Sequence, residues 1–376
     1  MSLVVMDEDL YQSISKISSH AYFMPVGRAA WAIFASLKIH NTDKKQVIAM
    51  PSFICQSVVA AAVAAGWEIM FLDINLNNAN VNSDEYLRAI QKHKIDAVLF
   101  VHLLGNKNEL NGLQNECRKN GILLIEDSAQ FCDQQHIDSY TELSYIKIFS
   151  FGYSKPIDAG GGGILCTDDK SLMEELKHFS NAYDFKSKSS LEDNAISFKD
   201  KFYELKDLII DNEKEKFHFP ELLEIYLPLV DIQVPFSDSL KAKVIHGISQ
   251  LEKKIRIRTE NWEKYKKFLN CDSLIPLHDK GSIPWRASYR IEGMDYSSQN
   301  EISNSIRANG FDVSNWYLPA HWYIDPKDSA DLKLQNTVKL SKEIIQFWVD
   351  RELNISHFNS LNNIINRLID EEKQGN

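Results

Sequence analysis

Six short apolar runs separated by helical segments constrain this chain more than any other feature. QVIAM (46–50), EIMFLD (68–73), DAVLFVH (96–102), ILLIED (122–127), YIKIFSF (145–151) and GILCTDD (163–169) each read as a strand. Near-continuous apolar strands lack the alternation of a sheet with one wet face, so both faces must be covered. The stretches between them are helical. AAWAIFASLKI (29–39) sets Ala30, Ile33, Phe34 and Leu37 on one face, and SVVAAAVAAG (57–66) closes on a C′ glycine. Further helices are expected near 83–92 and over 108–120. This alternation predicts an α/β fold, a three-layer α/β/α arrangement around a mostly parallel sheet. Ligands of open α/β sheets bind at the carboxyl ends of the strands. Ser52, Asp73, His102, Asp127 and Ser150 fall at or just past those ends and outline a candidate site.

Lys155 enters that outline in FSFGYSKPIDAGGGGIL (149–165), between a short aromatic run and four consecutive glycines, Gly160–Gly163. Four adjacent glycines give up backbone entropy, which makes sense where the chain turns sharply or approaches a ligand closely. The common alternative for such a lysine is a solvated loop residue.

Composition narrows the class. A net charge of −10 with scattered Lys and Arg argues against nucleic-acid or membrane partners, while a local basic pocket for a small anion stays open. The amino-terminal MSLVVMDEDLYQSISK has an early acidic run in place of a signal peptide, which predicts a cytoplasmic protein. Cys55, Cys117, Cys132, Cys166 and Cys271 show no CxxC spacing, so reduced thiols are expected rather than disulfides or a metal site. At 376 residues the chain is long enough for a large domain plus a smaller one. The division is placed at 1–240 and 241–376, with a charged, polar insertion at about 184–220. The long helical stretch 239–269 leads into a small α+β domain. There WRASYRI (285–291) and FDVSNWYL (311–318) read as strands, 300–310 as a helix, and helices are expected near 337–348 and 358–370.

A lysine facing a carboxylate at the end of a parallel sheet fits an enzyme that uses pyridoxal 5′-phosphate. The lysine condenses with the aldehyde, and the carboxylate keeps the pyridine nitrogen protonated. The phosphate needs amide donors, and Gly27-Arg28-Ala29 opens a helix that can supply them.

These residues carry a resemblance. PSFICQSVVAAAVAAG, FLDINLNNANVN, VHLLG, IEDSAQ and FSFGYSK followed by GGGG resemble, in order and spacing, segments of the DegT/DnrJ/StrS sugar aminotransferases. These are pyridoxal-phosphate enzymes of fold type I. The resemblance implies Lys155 as the Schiff-base lysine and proton shuttle, and Asp127 as partner of the pyridine nitrogen. Gln130 would approach the ring hydroxyl or phosphate. Ser150 and the amides of Arg28 and Ala29 would hold the phosphate. In WYLPAHW (316–322), Tyr317 and His321 match a segment near the substrate. The chain departs from the family at Cys55, where an aromatic residue usually stacks on the ring, at Arg28 in place of a small hydroxyl residue, and at Trp316 in place of histidine. Gln233 is the nearest equivalent of an asparagine that reaches the partner subunit's phosphate.

The implied activity moves an amino group from an amino acid, L-glutamate by expectation, to a nucleotide-linked keto sugar in polysaccharide biosynthesis. A homodimer with a shared active site is implied with it. Lys155 argues against the dehydratase branch, which carries histidine there. Two rivals stay open: a fold-type-I enzyme acting on amino acids alone, with Arg286 or Arg290 binding a carboxylate, and a non-catalytic regulatory homologue.

Overall fold

Why the sheet takes the order it does follows from how each strand is connected to the next. The computed structural model describes residues 7–133, 145–185, 204, 208, 220–230, 234–324 and 334–375. Most of the 184–220 segment lies outside these residues, as does Gln233. Seven strands form the first sheet: β1 (Tyr22–Val26), β2 (Val47–Pro51), β3 (Glu68–Leu72), β4 (Ala97–Val101), β5 (Leu123–Asp127), β6 (Tyr145–Ser150) and β7 (Gly163–Thr167). Their order is β1-β7-β6-β5-β4-β2-β3. Pairs among β2 to β6 are parallel, as expected. β7 runs antiparallel to both neighbours. A parallel crossover takes a dozen or more residues and usually a helix, whereas residues 151–162 form none and fold directly back. This return loop is the one that carries Lys155.

Helices cover both faces. α1 (Glu8–Ile14) starts at Asp7, whose carboxylate accepts the amides of Asp9 and Leu10. It is followed by α2 (Ala29–Ile39), α3 (Gln56–Ala65), α4 (Ser83–Lys92), α5 (Leu113–Lys119) and α6 (Lys170–Ala182). Ala60, Ala61, Ala62 and Ala65 of α3 are fully buried, and side chains this small let it pack closely on α2. Alternate residues of the strands serve opposite layers. Ile148 and Leu165 join the core of α2 and α3, while Phe149, Ile164 and Cys166 pack with Leu10 and Ile14 of α1 and with Val244 and Ile248. The last two belong to the helix Asp238–Ser249.

β8 (Leu274–Pro276), β9 (Ala287–Ile291), β10 (Val313–Ser314) and β11 (Ile344–Phe347) form a second, antiparallel sheet in the order β10-β11-β9-β8. Its core holds Trp262, Tyr289, Phe347 and Phe358. Three sequence expectations change. The helix expected over 108–120 begins only at Leu113, because Asn111 and Gly112 both adopt positive φ. The helix expected near 337–348 ends at Glu343, and Ile344–Phe347 is a strand laddered to both β9 and β10. The strand over 311–318 shortens to Val313–Ser314.

Candidate active site

The carboxyl ends of β5 and β6 and the amino end of α2 meet around a cavity of about 330 Å³. Asp127, Gln130, Ser150, Lys155, Cys55 and Tyr317 line it, with the backbone of Gly27 to Ala30 forming one side. Arg28 is the N-cap of α2 and makes no side-chain capping bond, so the amino end of this helix faces the cavity with no side-chain acceptor on its amides. That is the arrangement in which a helix end binds an anion. The Arg28 guanidinium turns elsewhere and donates to the Leu229 carbonyl at 3.0 Å.

The glycine run serves this junction. A Cβ on Gly163 would lie 2.8 Å from the Phe149 carbonyl and 3.1 Å from the Ala29 backbone, so a larger residue would push α2 away from β7. Gly160 and Gly162 hold φ of +79° and +87°, which complete the return of the chain.

Asp127 is buried and Lys155 is half-buried. Burial, the largest influence, draws the Lys155 amine below its ordinary value, while Cys55 and Asp127 act to raise it. Burial likewise raises the Asp127 carboxyl, against the Ala129 amide, which donates to Asp127 Oδ1 at 2.8 Å, and the Lys155 charge. Lys155 Nζ lies 5.2 Å from the centroid of the Trp285 ring. Trp285 is fixed by its indole N–H, which donates to the Ser154 carbonyl at 2.8 Å, and by its backbone amide bonded to the Leu104 carbonyl at 3.0 Å. The latter approach needs Gly105, where a Cβ would fall 2.0 Å from the Ile283 carbonyl oxygen.

Gln130 ties the two sheets together at the cavity. Its Oε1 accepts the Leu104 amide at 2.7 Å and its Nε2 donates to the Tyr317 hydroxyl at 2.6 Å. Tyr317 stacks parallel to Trp285, with ring centroids 6.4 Å apart.

The structure separates the other strand-end residues from this cavity. His321 is buried with its Nδ1 2.7 Å from Ser52 Oγ, and neither residue lines the cavity. Asp73 accepts the amides of Asn336 and Thr337 and the Thr337 hydroxyl, and so fixes the start of the helix Gln335–Glu343. His102 accepts the Asn108 amide at Nδ1, so its Nε2 carries the hydrogen donated to Glu126 at 2.8 Å. Glu126 also pairs with Lys147 at 2.9 Å. Burial acts to raise the Glu126 carboxyl, but Lys147 and His102 outweigh it and hold it well below the carboxylate range. Strand alternation puts this network on the far side of β5 from Asp127. Trp285 and Tyr153 join the site without having been singled out. Their side chains reach it only through a return of the chain and a loop geometry that spacing does not encode.

Pyridoxal phosphate fits these residues. The cavity offers a primary amine, a buried carboxylate, a hydroxyl and an uncapped helix end. Among the described residues no cluster of His, Cys, Asp or Glu could hold a metal ion, and no helix is long and apolar enough to cross a membrane.

Comparison with known proteins places these features in context. The model of the DegT/DnrJ/EryC1/StrS aminotransferase family matches residues 8–211. The chain is 30% identical over 164 residues to Protein MosB of Rhizobium meliloti, covering 43% of this chain and 32% of that protein. It is 25% identical over 159 residues to dTDP-4-dehydro-2,3,6-trideoxy-D-glucose 4-aminotransferase of Saccharopolyspora spinosa, covering 42% of this chain and 40% of that one. It is 27% identical over 140 residues to UDP-4-amino-4,6-dideoxy-N-acetyl-beta-L-altrosamine transaminase of Campylobacter jejuni, covering 36% of each. The chain thus spans between 32% and 40% of the length of these curated relatives. Among solved structures, PseC of Helicobacter pylori, an aminotransferase of pseudoaminic acid biosynthesis, superposes with a TM-score of 0.74 at 14% identity over 97% of this chain and 91% of that one. The aminotransferase TlmJ of Streptoalloteichus hindustanus gives 0.68 at 17% over 97% and 90%. At such identities the likeness is one of fold.

Proposed function

The chain belongs to the DegT/DnrJ/EryC1/StrS aminotransferase family, and from that premise we propose that it is a pyridoxal-phosphate-dependent aminotransferase acting on a nucleotide-linked keto sugar. The observation that carries this reading is the convergence of Lys155, Asp127 and the uncapped start of α2 on one cavity. Two of the curated relatives are named as transaminases of dTDP- and UDP-linked sugars, which supports the acceptor class.

Each residue has a definable task. The Lys155 amine would hold the cofactor aldehyde, and the same amine would carry a proton between the donor Cα and the sugar carbon. Its lowered basicity suits that exchange, because a neutral amine is needed to accept a proton. A carboxylate oxygen of Asp127 would keep the pyridine nitrogen of that cofactor protonated. When bound, pyridoxal phosphate supplies an electron sink for the carbon that bears the amine. The amides of Arg28 and Ala29, with the Ser150 hydroxyl, take the phosphate. Cys55, which lines the cavity, would lie against the ring, and Gln130, bonded to the Tyr317 hydroxyl, would position Tyr317 toward the substrate. The walls of Ile33, Ile54, Val58 and Val101 keep water from the reacting atoms.

The protein acts in the cytoplasm as a homodimer with shared sites. The two sheets support a larger cofactor domain and a smaller carboxyl-terminal one, while a boundary at 240/241 falls inside the helix Asp238–Ser249, whose Val244 and Ile248 pack with the first sheet. To test the activity, protein loaded with pyridoxal phosphate is incubated with L-glutamate and a panel of nucleotide-linked keto sugars. Amino sugar detected by mass supports the reading, and its absence across dTDP- and UDP-linked acceptors refutes it.

A further inference from the structure

Among the described residues, four besides glycine hold a positive φ: Ala79, Leu104, Asn111 and Ser154. An L side chain is crowded in this left-handed region, so a residue stays there only where its surroundings fix it. Two of the four stand beside the candidate site. Ser154, at φ +65°, immediately precedes Lys155, and Leu104, at φ +60°, lies in the turn after β4.

Their hydrogen bonds are matched. The Ser154 amide donates to Asp158 Oδ2 at 2.7 Å, and the Leu104 amide donates to Gln130 Oε1 at 2.7 Å. The Ser154 carbonyl accepts the Trp285 indole N–H at 2.8 Å, and the Leu104 carbonyl accepts the Trp285 backbone amide at 3.0 Å. One tryptophan thus holds both left-handed residues by their carbonyls, while a side-chain oxygen holds each by its amide.

The two clamps on Ser154 are themselves fixed. Trp285 is buried, and its carbonyl accepts a bond from Arg258 of the helix Leu251–Phe268 at 2.6 Å. The second oxygen of Asp158 accepts the Gly160 amide at 2.9 Å, so one carboxylate ties the loop together on both sides of Lys155. The Lys155 amide donates to the Gly152 carbonyl at 3.2 Å, and its Nζ stands 5.2 Å from the Trp285 ring centroid. A swing of Ser154 to the common φ near about −60° would turn the chain at the residue before Lys155 and redirect the amine.

We infer that Asp158 and Trp285 are positioning residues for Lys155. Together they hold Ser154 in the left-handed conformation that aims the amine into the cavity. Neither lines that cavity, so both act through Ser154 and not on the cofactor. Through Trp285, the segment leading into β9 of the second sheet takes part in cofactor capture at the first. This rests on the reading of the cavity as a pyridoxal-phosphate site.

The test compares Trp285→Phe and Asp158→Ala, each alone and combined with Ser154→Gly. Glycine takes a positive φ without the crowding of a side chain, so it depends less on the clamps. Two probes share the cavity. Capture of pyridoxal phosphate by the amine is followed as the rise of visible absorbance. Pyridoxamine phosphate has no aldehyde and needs the phosphate cradle but not Lys155. Each single variant should capture pyridoxal phosphate at least about tenfold more slowly, and the added glycine should restore at least about threefold. Affinity for pyridoxamine phosphate, titrated calorimetrically, should change less than about threefold. Capture at the wild-type rate overturns the proposal, as does an equal loss of pyridoxamine phosphate binding or no gain from glycine. If either variant lacks a cooperative unfolding transition, Asp158→Asn, which keeps one acceptor for two amides, decides by the same measurements. Should wild-type protein capture no pyridoxal phosphate, the proposed activity falls, and hydrogen exchange of the cofactor-free protein decides the positioning role. Trp285→Phe should then speed exchange of the Ser154 amide at least about tenfold, although its acceptor Asp158 is untouched. An unchanged exchange rate overturns the role.

Discussion

Gln130 donates its amide hydrogen to the Tyr317 hydroxyl across 2.6 Å, and this bond joins the loop after β5 to the segment after β10 at the wall of the cavity. Both ends of the Gln130 side chain are used, since Oε1 also holds the Leu104 amide.

Gln130→Ala should therefore act at a distance as well as locally. It leaves the Leu104 amide and the Tyr317 hydroxyl buried without their partner, at a cost of about 1–3 kcal/mol. Thermal unfolding should shift down accordingly, and kcat/KM for amine transfer should fall about tenfold as Tyr317 loses its fixed position. An unchanged melting temperature with unchanged kcat/KM would remove Gln130 from the site's framework.

Asp127→Asn separates stability from chemistry. The amide keeps an oxygen for the Ala129 amide while removing a buried carboxyl that burial pushes toward the neutral form. Unfolding of the cofactor-free variant should match or exceed wild type, as is common where a functional charge is relieved. Amine transfer should drop by at least about 100-fold, because an amide cannot keep the pyridine nitrogen protonated. Rapid turnover in this variant would move the role to another acid.

His321 makes stability depend on pH. Burial pushes it down to about 4, from an ordinary value near 6.5, so the folded protein binds fewer protons than the unfolded chain between those values. Its contribution is complete above about pH 6.5 and is lost as pH falls toward 4. By pH 5 the loss should reach about 1–2 kcal/mol, read from urea unfolding at pH 7 and pH 5. His321→Gln should remove only this share of the difference, because burial also pushes His278 down to about 4 and it loses stability over the same range, and a variant that loses as much between pH 7 and pH 5 as wild type would contradict the assignment.

The sequence reading reached Lys155 and Asp127 because both follow strands whose apolar runs leave little choice of type. Helix α2 was legible to the residue for the same reason. β1 was not read, because YFMPV contains Pro25, which is tolerated here only at the sheet edge. IIQF at 344–347 reads as the end of a helix and becomes a strand only through its ladders to β9 and β10. Long-range pairing decides such short apolar runs. The same limit explains the site. His102 and Asp73 share the strand-end pattern of Asp127, yet hydrogen bonds to Asn108 and, across the chain, to Thr337 commit them to the framework. Arg286 and Arg290 lie four residues apart and look equivalent until Glu343 is found beside only the second.

The account rests on Lys155 being the amine that holds the cofactor, and chemical trapping tests this most directly. Protein incubated with pyridoxal phosphate is reduced with borohydride, digested and mapped by mass. The prediction is a pyridoxyl group on Lys155, with the label and the visible absorbance both lost in Lys155→Ala while cooperative unfolding is kept. A pyridoxyl group on another lysine, or a Lys155→Ala protein that retains the absorbance, would contradict it.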